Sequence, residues 1–436
     1  MHNNAIILLK GFFMSEMDRT YLCIDLKSFF ASVEAVDRGL NPFKANLVVA
    51  DPSRGSGAIC LAITPAMKKL GIKNRCRIFE IPKNVEFITA LPRMKLYMQK
   101  SAQIYEIYLR YVSAADIHVY SIDECFIDAT TYLKAYNKTP KEFASMLMDA
   151  VMKETKICAT AGIGTNLFLA KIALDITAKH SPDNIGYLDE EIFKKTLWHH
   201  RPITDFWNVG KGIAKRLEIY GVYDMYGVAH INEKTLYSEF GVNAEFLIDH
   251  SKGIEPCTIS DIHNYKSKSN SISNSQILFE DYKYNEAMLV LKEMVDILVL
   301  ELIEKHMKTN SISLYIGYSK NTHSSTGGAK KLTAYTNSYK KIVKEFENLF
   351  LEKTDKNYLI RRIGISLNNI KDEDMIGVQL DIFSNTEDTQ KEYKVQKAVI
   401  SIKNKFGKNA ILRGMSLEEK ATARTRNKLV GGHNGE

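Results

Sequence analysis

The sequence predicts a multidomain α+β protein, and three observations carry this. The chain has 436 residues, too many for one ordinary core, and length alone suggests roughly three domains. Short apolar runs of strand length alternate with helical patterns as far as Gly186, which is how α/β and α+β layers read. A second series of strands and helices follows a polar Ser/Asn/Lys stretch, Y265-K-S-K-S-N-S-I-S-N274. The composition, 45% apolar and 25% charged, is that of folded domains rather than a disordered or fibrous chain.

The elements follow in order. Y21-L-C-I-D-L26 reads as a strand with Asp25 near its end, and Ser28 as the N-cap of a helix through F29-F-A-S-V-E-A-V36. L47-V-V-A50 and A58-I-C-L-A-I63 read as strands about a Gly/Ser turn. Thr64 and Pro65 open a short helix that Gly71 stops. A long helix is expected from Met94 to Tyr111, then two short strands, I117-H-V-Y-S-I-D-E-C-F-I-D128, folded about a pair of acids. A helix over Pro140–Glu154, a strand over Ile157–Ile163 and a helix over Thr165–Ile176 complete this part. From there to about Gly253 the pattern is helical with Gly breaks. Past the linker come a helix (Asn285–His306), strands (Ser311–Gly317, Lys331–Tyr335), a helix (Ser338–Leu351) and a strand (Leu359–Ser366). This β-α-β-β-α-β-like order makes a compact separate domain.

The formal net charge is +8. From Thr386 onward there are 11 basic and 6 acidic residues. Such a tail suits nucleic acid or another acidic partner, or is simply solvated. The six cysteines form no C-x-x-C and no zinc-spaced cluster, so they read as small core residues of a protein in a reducing cytoplasm. The N-terminal runs A5-I-I-L-L9 and G11-F-F13 are too short to span a bilayer and lack a cleavage site. They read as a non-targeting extension, with Met14 and Met17 as alternative starts, and no membrane partner is expected.

Asp123 and Glu124 sit side by side inside an apolar run, and Asp25 is the only acid in its own strand. Two carboxylates about 4 Å apart repel by roughly 4 kcal/mol at an effective dielectric constant near 20. A fold keeps such a cluster if cations bind it, and oxygen-only donors favour Mg²⁺ completed by substrate phosphates. Two such ions activate an attacking hydroxyl and stabilise a leaving pyrophosphate. The bland alternative is a pair of solvated acids at a turn.

D25-L-K-S-F-F-A-S-V-E34 together with S121-I-D-E124 resembles the two catalytic motifs of the Y-family, or translesion, DNA polymerases. G162-I-G-T-N-L-F-L-A-K171 resembles a third family segment, and the C-terminal K403-N-K-F-G-K-N-A-I and R426-N-K-L-V-G-G-H433 resemble the UmuC branch of Gram-positive bacteria. The resemblance covers nearly everything from Tyr21 onward. It implies a right-hand polymerase: palm over 21–34 and 93–186, fingers over 35–92, helical thumb over 187–256, linker over 257–274, little finger over 275–372, and a basic C-terminal tail over 373–436 after an extension over 1–20. Asp25 and Asp123 would then bridge two Mg²⁺ ions, Glu124 would hold the ion at the primer 3′-hydroxyl, and Leu26 would offer its backbone carbonyl.

Phe30 matches the steric gate, where a ring under the sugar leaves no room for a ribose 2′-hydroxyl, and Phe29 beside it is a further nucleotide-binding candidate. Lys179 matches a lysine on the incoming triphosphate, and Lys171 matches a palm lysine that otherwise reads as half of a surface salt bridge. Where many members place Tyr and Arg on the fingers helix, this chain has Pro65 and Lys68. Lys68 offers a point charge rather than a fork, and Thr64 could donate a hydroxyl. S53-R-G-S-G-A58 and A62-I-T-P-A66 suggest small residues over a templating base.

V209-G-K-G-I-A-K215 resembles a helix-hairpin-helix turn, in which Gly210 and Gly212 turn backbone N–H groups to a phosphate and Lys211 and Lys215 add charge. A plain helix cap and turn is the alternative. Lys330, Lys331, Arg361 and Arg362 are candidates for gripping primer–template DNA, or are solvated strand charges. Q379-L-D-I-F383 resembles the peptide that docks in the bacterial sliding clamp, with Gln379, Leu380, Ile382 and Phe383 as contacts. A strand tucked into the core is the other reading. The branch also implies a UmuD-like accessory subunit and a recombinase filament. The sequence therefore points to a low-fidelity DNA polymerase acting on dNTPs in lesion bypass. The competing readings are a non-catalytic DNA- and clamp-binding regulatory protein with a vestigial palm, and a nucleotidyl cyclase. The intact acid set argues against the first and the C-terminal half against the second.

Overall fold

The structure, a computed structural model, describes residues 19–266, 270–320, 322–376 and 386–435. It divides into two units, Met1–Lys266 with Asn434–Glu436, and Ser267–His433.

The first unit is laid down in this order: β1 (Tyr21–Leu26), α1 (Phe29–Asp37), β2 (Leu47–Val49), β3 (Ala62–Ile63), α2 (Pro65–Lys69), β4 (Ile88–Ala90), α3 (Met94–Leu109), β5 (Ile117–Val119), β6 (Glu124–Asp128), α4 (Thr130–Tyr136), α5 (Pro140–Thr155), β7 (Ala159–Gly164), α6 (Leu167–Ile172) and β8 (Ile185–Leu188). Its main sheet has the order β5-β6-β1-β7-β8. β1 runs antiparallel to both neighbours, with Asp25 opposite Glu124 on one side and Thr160 on the other. As the central strand, buried on both faces, β1 reads as a nearly continuous apolar run.

Close helix packing comes from glycine. A Cβ on Gly162 would lie 2.1 Å from the Ala170 carbonyl oxygen, and one on Gly164 2.2 Å from the Ala170 nitrogen. Backbone-to-backbone contact of β7 with α6 therefore needs glycine at both places, and this brings Lys171 up to the strand carrying Glu124. α6 runs on into a π turn over Ala173–Thr177 and a 3₁₀ turn over Ala178–His180, where the sequence suggests one uninterrupted helix.

A smaller sheet, β3-β2-β4, has its own core, which includes Val48, Cys60, Ile63, Met67 and Ile72. The strand expected over 58–63 shrinks to Ala62–Ile63 plus an isolated Ile59–Arg77 bridge. Two caps also differ. Ser28 stands at the N-cap of α1 with φ 51° and makes no side-chain cap. Thr64 precedes α2, but its hydroxyl donates to the Ala45 carbonyl at 2.8 Å and accepts from the Leu47 N–H at 3.2 Å, so it cannot cap the helix. The rest of the unit is helical: α7 (Glu190–Thr196), α8 (Lys211–Glu218), α9 (Met225–His230), α10 (Glu233–Phe240), α11 (Ala244–Lys252) and α12 (Ile259–Asn264), with a core that includes Phe193, Phe206, Leu217, Met225 and Leu247.

The second unit contains β9 (Ile272–Tyr282), α13 (Tyr284–Glu304), β10 (Met307–Tyr318), β11 (Thr326–Thr336), α14 (Tyr339–Lys353) and β12 (Ile360–Asn368), with sheet order β11-β10-β12-β9. The linker ends sooner than expected, because β9 begins at Ile272. α13 and α14 cover one face, burying Val290, Met294, Leu298, Phe346 and Phe350 against Ile312, Leu314, Ile363 and Ile365.

The C-terminal region is not a free tail. α15 (Thr386–Phe406) packs along α13, followed by a short α16 (Ala423–Arg426). Arg413 pairs with Asp296 at 2.6 Å and stands 3.6 Å over the Tyr339 ring. Glu293, buried in α13, accepts from the N–H groups of Thr422 at 2.8 Å and Ala423 at 3.1 Å and from the Thr422 hydroxyl at 3.2 Å. Part of the basic surplus is thus spent inside the protein. Glu293→Ala leaves those buried donors unmatched and is expected to destabilise the second unit by about 3 kcal/mol. Urea unfolding read alongside proteolysis of the C-terminal region checks this, and an unchanged midpoint would contradict it.

Candidate active site

Asp25 lies directly opposite Glu124 across β1 and β6, so the two carboxylates share one face of the sheet. The Leu26 N–H donates to the Asp123 carbonyl at 2.9 Å and sets the turn that carries Asp123 beside them. The Leu26 side chain itself is core. α6 covers this face at the Tyr21 and Cys23 end, leaving the acids at its open end. Burial, then the charges of Asp123 and Glu124, push the Asp25 carboxyl up to about 7, with Lys171 opposing.

Each acid is held. The Ser121 hydroxyl donates to Asp123 Oδ1 at 2.7 Å. Glu124 Oε1 takes the Lys171 ammonium at 2.8 Å and the Cys23 thiol at 3.1 Å, and Lys171 also reaches Asp175 at 3.0 Å. Lys171 is 8% exposed, which excludes the surface salt bridge its position in the sequence allows. Burial alone would lower its ammonium pKa, but Cys23, Glu124 and Asp175 more than offset this and keep it charged. Burial and Glu124 push the Cys23 thiol well up.

The donor set, carboxylates with no competing sulfur or imidazole ligand, fits a hard divalent cation in kind. Among the described residues no three His, Cys, Asp or Glu side chains are already gathered as ligands. Glu124 faces Lys171, so a cation there would have to take its place.

The lysines fall at one rim. The Lys68 side chain reaches solvent, yet desolvation pulls its ammonium down, opposed by Asp25 and reinforced by Lys179 and Lys27. Lys27 also donates to Asn184. Lys27 was not singled out in the sequence, although it follows Asp25 by two residues. Thr64 is fully buried with its hydroxyl donor spent on Ala45, so it offers nothing to a triphosphate. Phe29 is likewise a core residue, 2% exposed, because α1 turns it toward the protein interior.

Phe30 is half-buried and stacks on Tyr97 of α3, with centroids 4.6 Å apart and planes at 18°. The Tyr97 hydroxyl donates to Glu34 at 2.7 Å, and Arg93 grips Glu34 at 3.0 and 2.6 Å. In the smaller sheet region Ala58, Ala62 and Ala66 are buried, while Ile59 and Phe79 are exposed. The small surface expected over a template is thus reduced to Ser53 and Gly55–Gly57.

Gly210, Lys211, Gly212 and Lys215 are all exposed. Gly210 is the N-cap of α8 with no side-chain cap, and a Cβ at Gly210 or Gly212 would meet nothing. The fold itself does not require these glycines, so they leave free N–H groups open to an anion. In the second unit, Lys331, Tyr315 and Arg362 lie on the sheet face away from the helices, with the Arg362 guanidinium 5.4 Å over the Tyr315 ring. Lys330, one residue along, faces the helices and pairs with Glu345 of α14 at 2.5 Å. Arg361 pairs with Asp281 at 3.4 Å. Gln379, Leu380, Ile382 and Phe383 lie outside the described residues.

Among the described residues no helix is long and apolar enough to cross a membrane. Residues 24–175 match the impB/mucB/samB family and residues 269–382 its C-terminal domain. Over 95% of this chain and 97% of the relative, the sequence is 32% identical to UvrX of Bacillus subtilis (strain 168), provisionally named a UV-damage repair protein. It is 30% identical to DNA polymerase IV 2 of Halalkalibacterium halodurans, over 96% of this chain and all of the relative. The fold is similar to a Y-family DNA polymerase chimera of Dbh and Dpo4, with a TM-score of 0.61 at 21% identity, covering 80% of this chain and 99% of that one. With relatives matched end to end, this chain belongs to the impB/mucB/samB family of Y-family translesion DNA polymerases.

Proposed function

We propose that this chain is a template-directed, low-fidelity DNA polymerase that extends primers past damaged template bases. The observation that carries the proposal is Asp25 set opposite Glu124, with Asp123 at the adjoining turn and Lys68, itself within electrostatic reach of Lys27 and Lys179, in reach of Asp25. The reaction joins the primer 3′-oxygen to the α-phosphorus of a dNTP, breaks the bond to the β-phosphate, and releases pyrophosphate and the hydroxyl proton. Asp25, Asp123, Glu124 and the Leu26 carbonyl would hold two Mg²⁺ ions, which supply the Lewis acidity for hydroxyl activation and leaving-group neutralisation.

The chain's own residues do the rest. Ser121 keeps Asp123 aimed, and the three lysines screen the triphosphate. Phe30 closes the space under the sugar. Gly210 and Gly212 present α8 N–H groups to a DNA phosphate, with Lys211 and Lys215 adding charge. Lys331 and Arg362 reach the duplex from the open sheet face, whereas Lys330 and Arg361 stay with their acidic partners. In this reading the main sheet is the palm, the β2–β4 sheet the fingers, the helical layer the thumb and the second unit the little finger. Binding of a sliding clamp through Gln379–Phe383, and help from a UmuD-like subunit or recombinase filament, belong to the same reading.

Primer extension over undamaged and lesion-bearing templates tests it, with and without clamp. Wild type should extend primers with Mg²⁺ and Asp123→Ala should not. The Lys211→Ala/Lys215→Ala variant should lower the slope of log affinity against log salt by about 2. DNA and clamp binding without any extension would favour the regulatory reading instead.

A further inference from the structure

Trp207 precedes the α8 turn and reaches the catalytic hairpin. Its indole N–H donates to the Tyr120 hydroxyl at 3.0 Å. Its ring lies edge-on to Tyr120, with centroids 5.9 Å apart at 77°, and tilted on Phe126 at 5.8 Å and 35°. Tyr120 meets Phe126 edge-on at 5.7 Å. These two rings flank Asp123 and Glu124 on either side in the sequence. The N–H groups of Tyr120 and Ser121 both donate to the Glu124 carbonyl at 3.0 Å, closing the turn. The Lys171 ammonium, already paired with Glu124, stands 5.9 Å from the Tyr120 ring centroid.

On its other side Trp207 is followed by Asn208, held at φ 65°, then by Val209, buried in the helical core, and by Gly210 at the head of α8. Only this short stretch of fixed backbone separates the uncapped helix end from an indole hydrogen-bonded to the hairpin. Tyr120 itself is 45% exposed, so its ring adds little to the core, and Trp207 is the partner of its hydroxyl.

We infer that Trp207 and Tyr120 are positioning residues that couple phosphate occupancy of the Gly210–Lys211 turn to the alignment of Asp123 and Glu124. The inference rests on the reading that this turn binds DNA. A phosphate drawn onto the α8 N–H groups pulls on the turn, the indole moves with it, and the hydrogen bond carries the displacement to the residue that opens the hairpin. Bare protein and DNA-bound protein would then differ in how well the acids are set for chemistry.

Two measurements test this with the full-length chain. The first is tryptophan emission on titration with a primer–template carrying a dideoxy terminus. The chain has two tryptophans, and subtracting the signal of Trp207→Phe isolates Trp207. Its emission should shift with DNA, and the shift should be lost in Tyr120→Phe. The second is single-turnover extension by Tyr120→Phe, Trp207→Phe and the double variant. DNA affinity should stay within about twofold, and each rate should fall about tenfold as the acids lose alignment. The double variant should be no slower than either single variant, because one contact is removed in all three. Half-saturating Mg²⁺ should rise in the same variants. Tyr120→Phe deletes one oxygen from a half-exposed ring, so it reports even if Trp207→Phe folds poorly. Multiplicative rate losses, unchanged rates, or DNA binding with no emission shift would each overturn the coupling. Tight DNA binding and a full emission shift in a wild type that cannot extend primers would instead defeat the polymerase reading and uphold the coupling.

Discussion

Asp25→Asn should inactivate the enzyme and, in the absence of divalent cations, stabilise it at pH 8. Asp25 is largely buried next to two further carboxylates, and its own is pushed up to about 7. In the unfolded chain an aspartate titrates near about 4. Between these values the folded protein holds a proton that the unfolded chain has released, so stability falls as the pH rises through this window. Above about pH 7 the whole penalty is present, on the order of 4 kcal/mol for a shift of about three units. Asparagine removes the charge and most of that penalty. The expected gain is about 2–4 kcal/mol at pH 8, falling to roughly a third of that at pH 5 and vanishing only below about pH 4, where the unfolded chain carries the proton as well.

Magnesium should narrow the difference at pH 8, because a cation bound only by the folded wild type stabilises it by mass action. Extension should drop by at least about a thousandfold. Calorimetry at the two pH values, with and without Mg²⁺, decides the matter. A variant no more stable than wild type at pH 8, or a gain at pH 5 as large as that at pH 8, would show that the acids do not strain the free fold.

Much of this site was legible in the sequence because it violates its own surroundings. Asp25 stands alone in a buried strand, and Asp123 and Glu124 interrupt another, so charge in an apolar run marked both ends of the cluster before any pairing was known. What stayed hidden depends on contacts between distant segments. Lys171 and Asp175 are four residues apart, the spacing of an ordinary surface pair. Only the close approach of α6 to Gly162 and Gly164 buries Lys171 beneath Glu124. Lys330 and Lys331 look equivalent in sequence. Period-2 alternation says that they point to opposite faces but not which face is covered, and the helices decide for Lys331. The C-terminal region reads as a basic tail by composition, yet Arg413 and Thr422 find partners on α13, more than a hundred residues earlier. Thr64 was misjudged because a threonine before Pro65 has the look of a cap, whereas its hydroxyl serves the neighbouring strand.

Sugar discrimination should depend on residues that never touch a nucleotide. Phe30→Ala opens the space that a 2′-hydroxyl would need and should lower selection against ribonucleotides by about a hundredfold, with deoxynucleotide incorporation far less affected. Phe30 is only as firm as its backing. Tyr97 stacks against it, and the Tyr97 hydroxyl is tied to Glu34, which Arg93 and Arg38 also engage. Glu34 is fully buried. Burial alone would raise its pKa, but the donors from Arg93, Tyr97 and Arg38 hold it below the usual carboxylate range. The cluster therefore contributes stability above about pH 4–5, which is lost as the pH falls through the depressed value. Glu34→Ala leaves the buried Tyr97 hydroxyl and the partly exposed Arg93 and Arg38 guanidinium groups without their shared acceptor, and is expected to lose about 2–3 kcal/mol. Tyr97→Ala keeps the Arg93 and Arg38 ion pairs to Glu34 but removes the Tyr97 hydrogen bond to it along with the platform behind Phe30. It should relax ribonucleotide selection part of the way toward Phe30→Ala, and the double variant should be no more permissive than Phe30→Ala alone. Paired extension assays with dNTPs and rNTPs measure all three. Full discrimination in Tyr97→Ala would mean that Phe30 holds its place without Tyr97, and unchanged discrimination in Phe30→Ala would remove the gate itself.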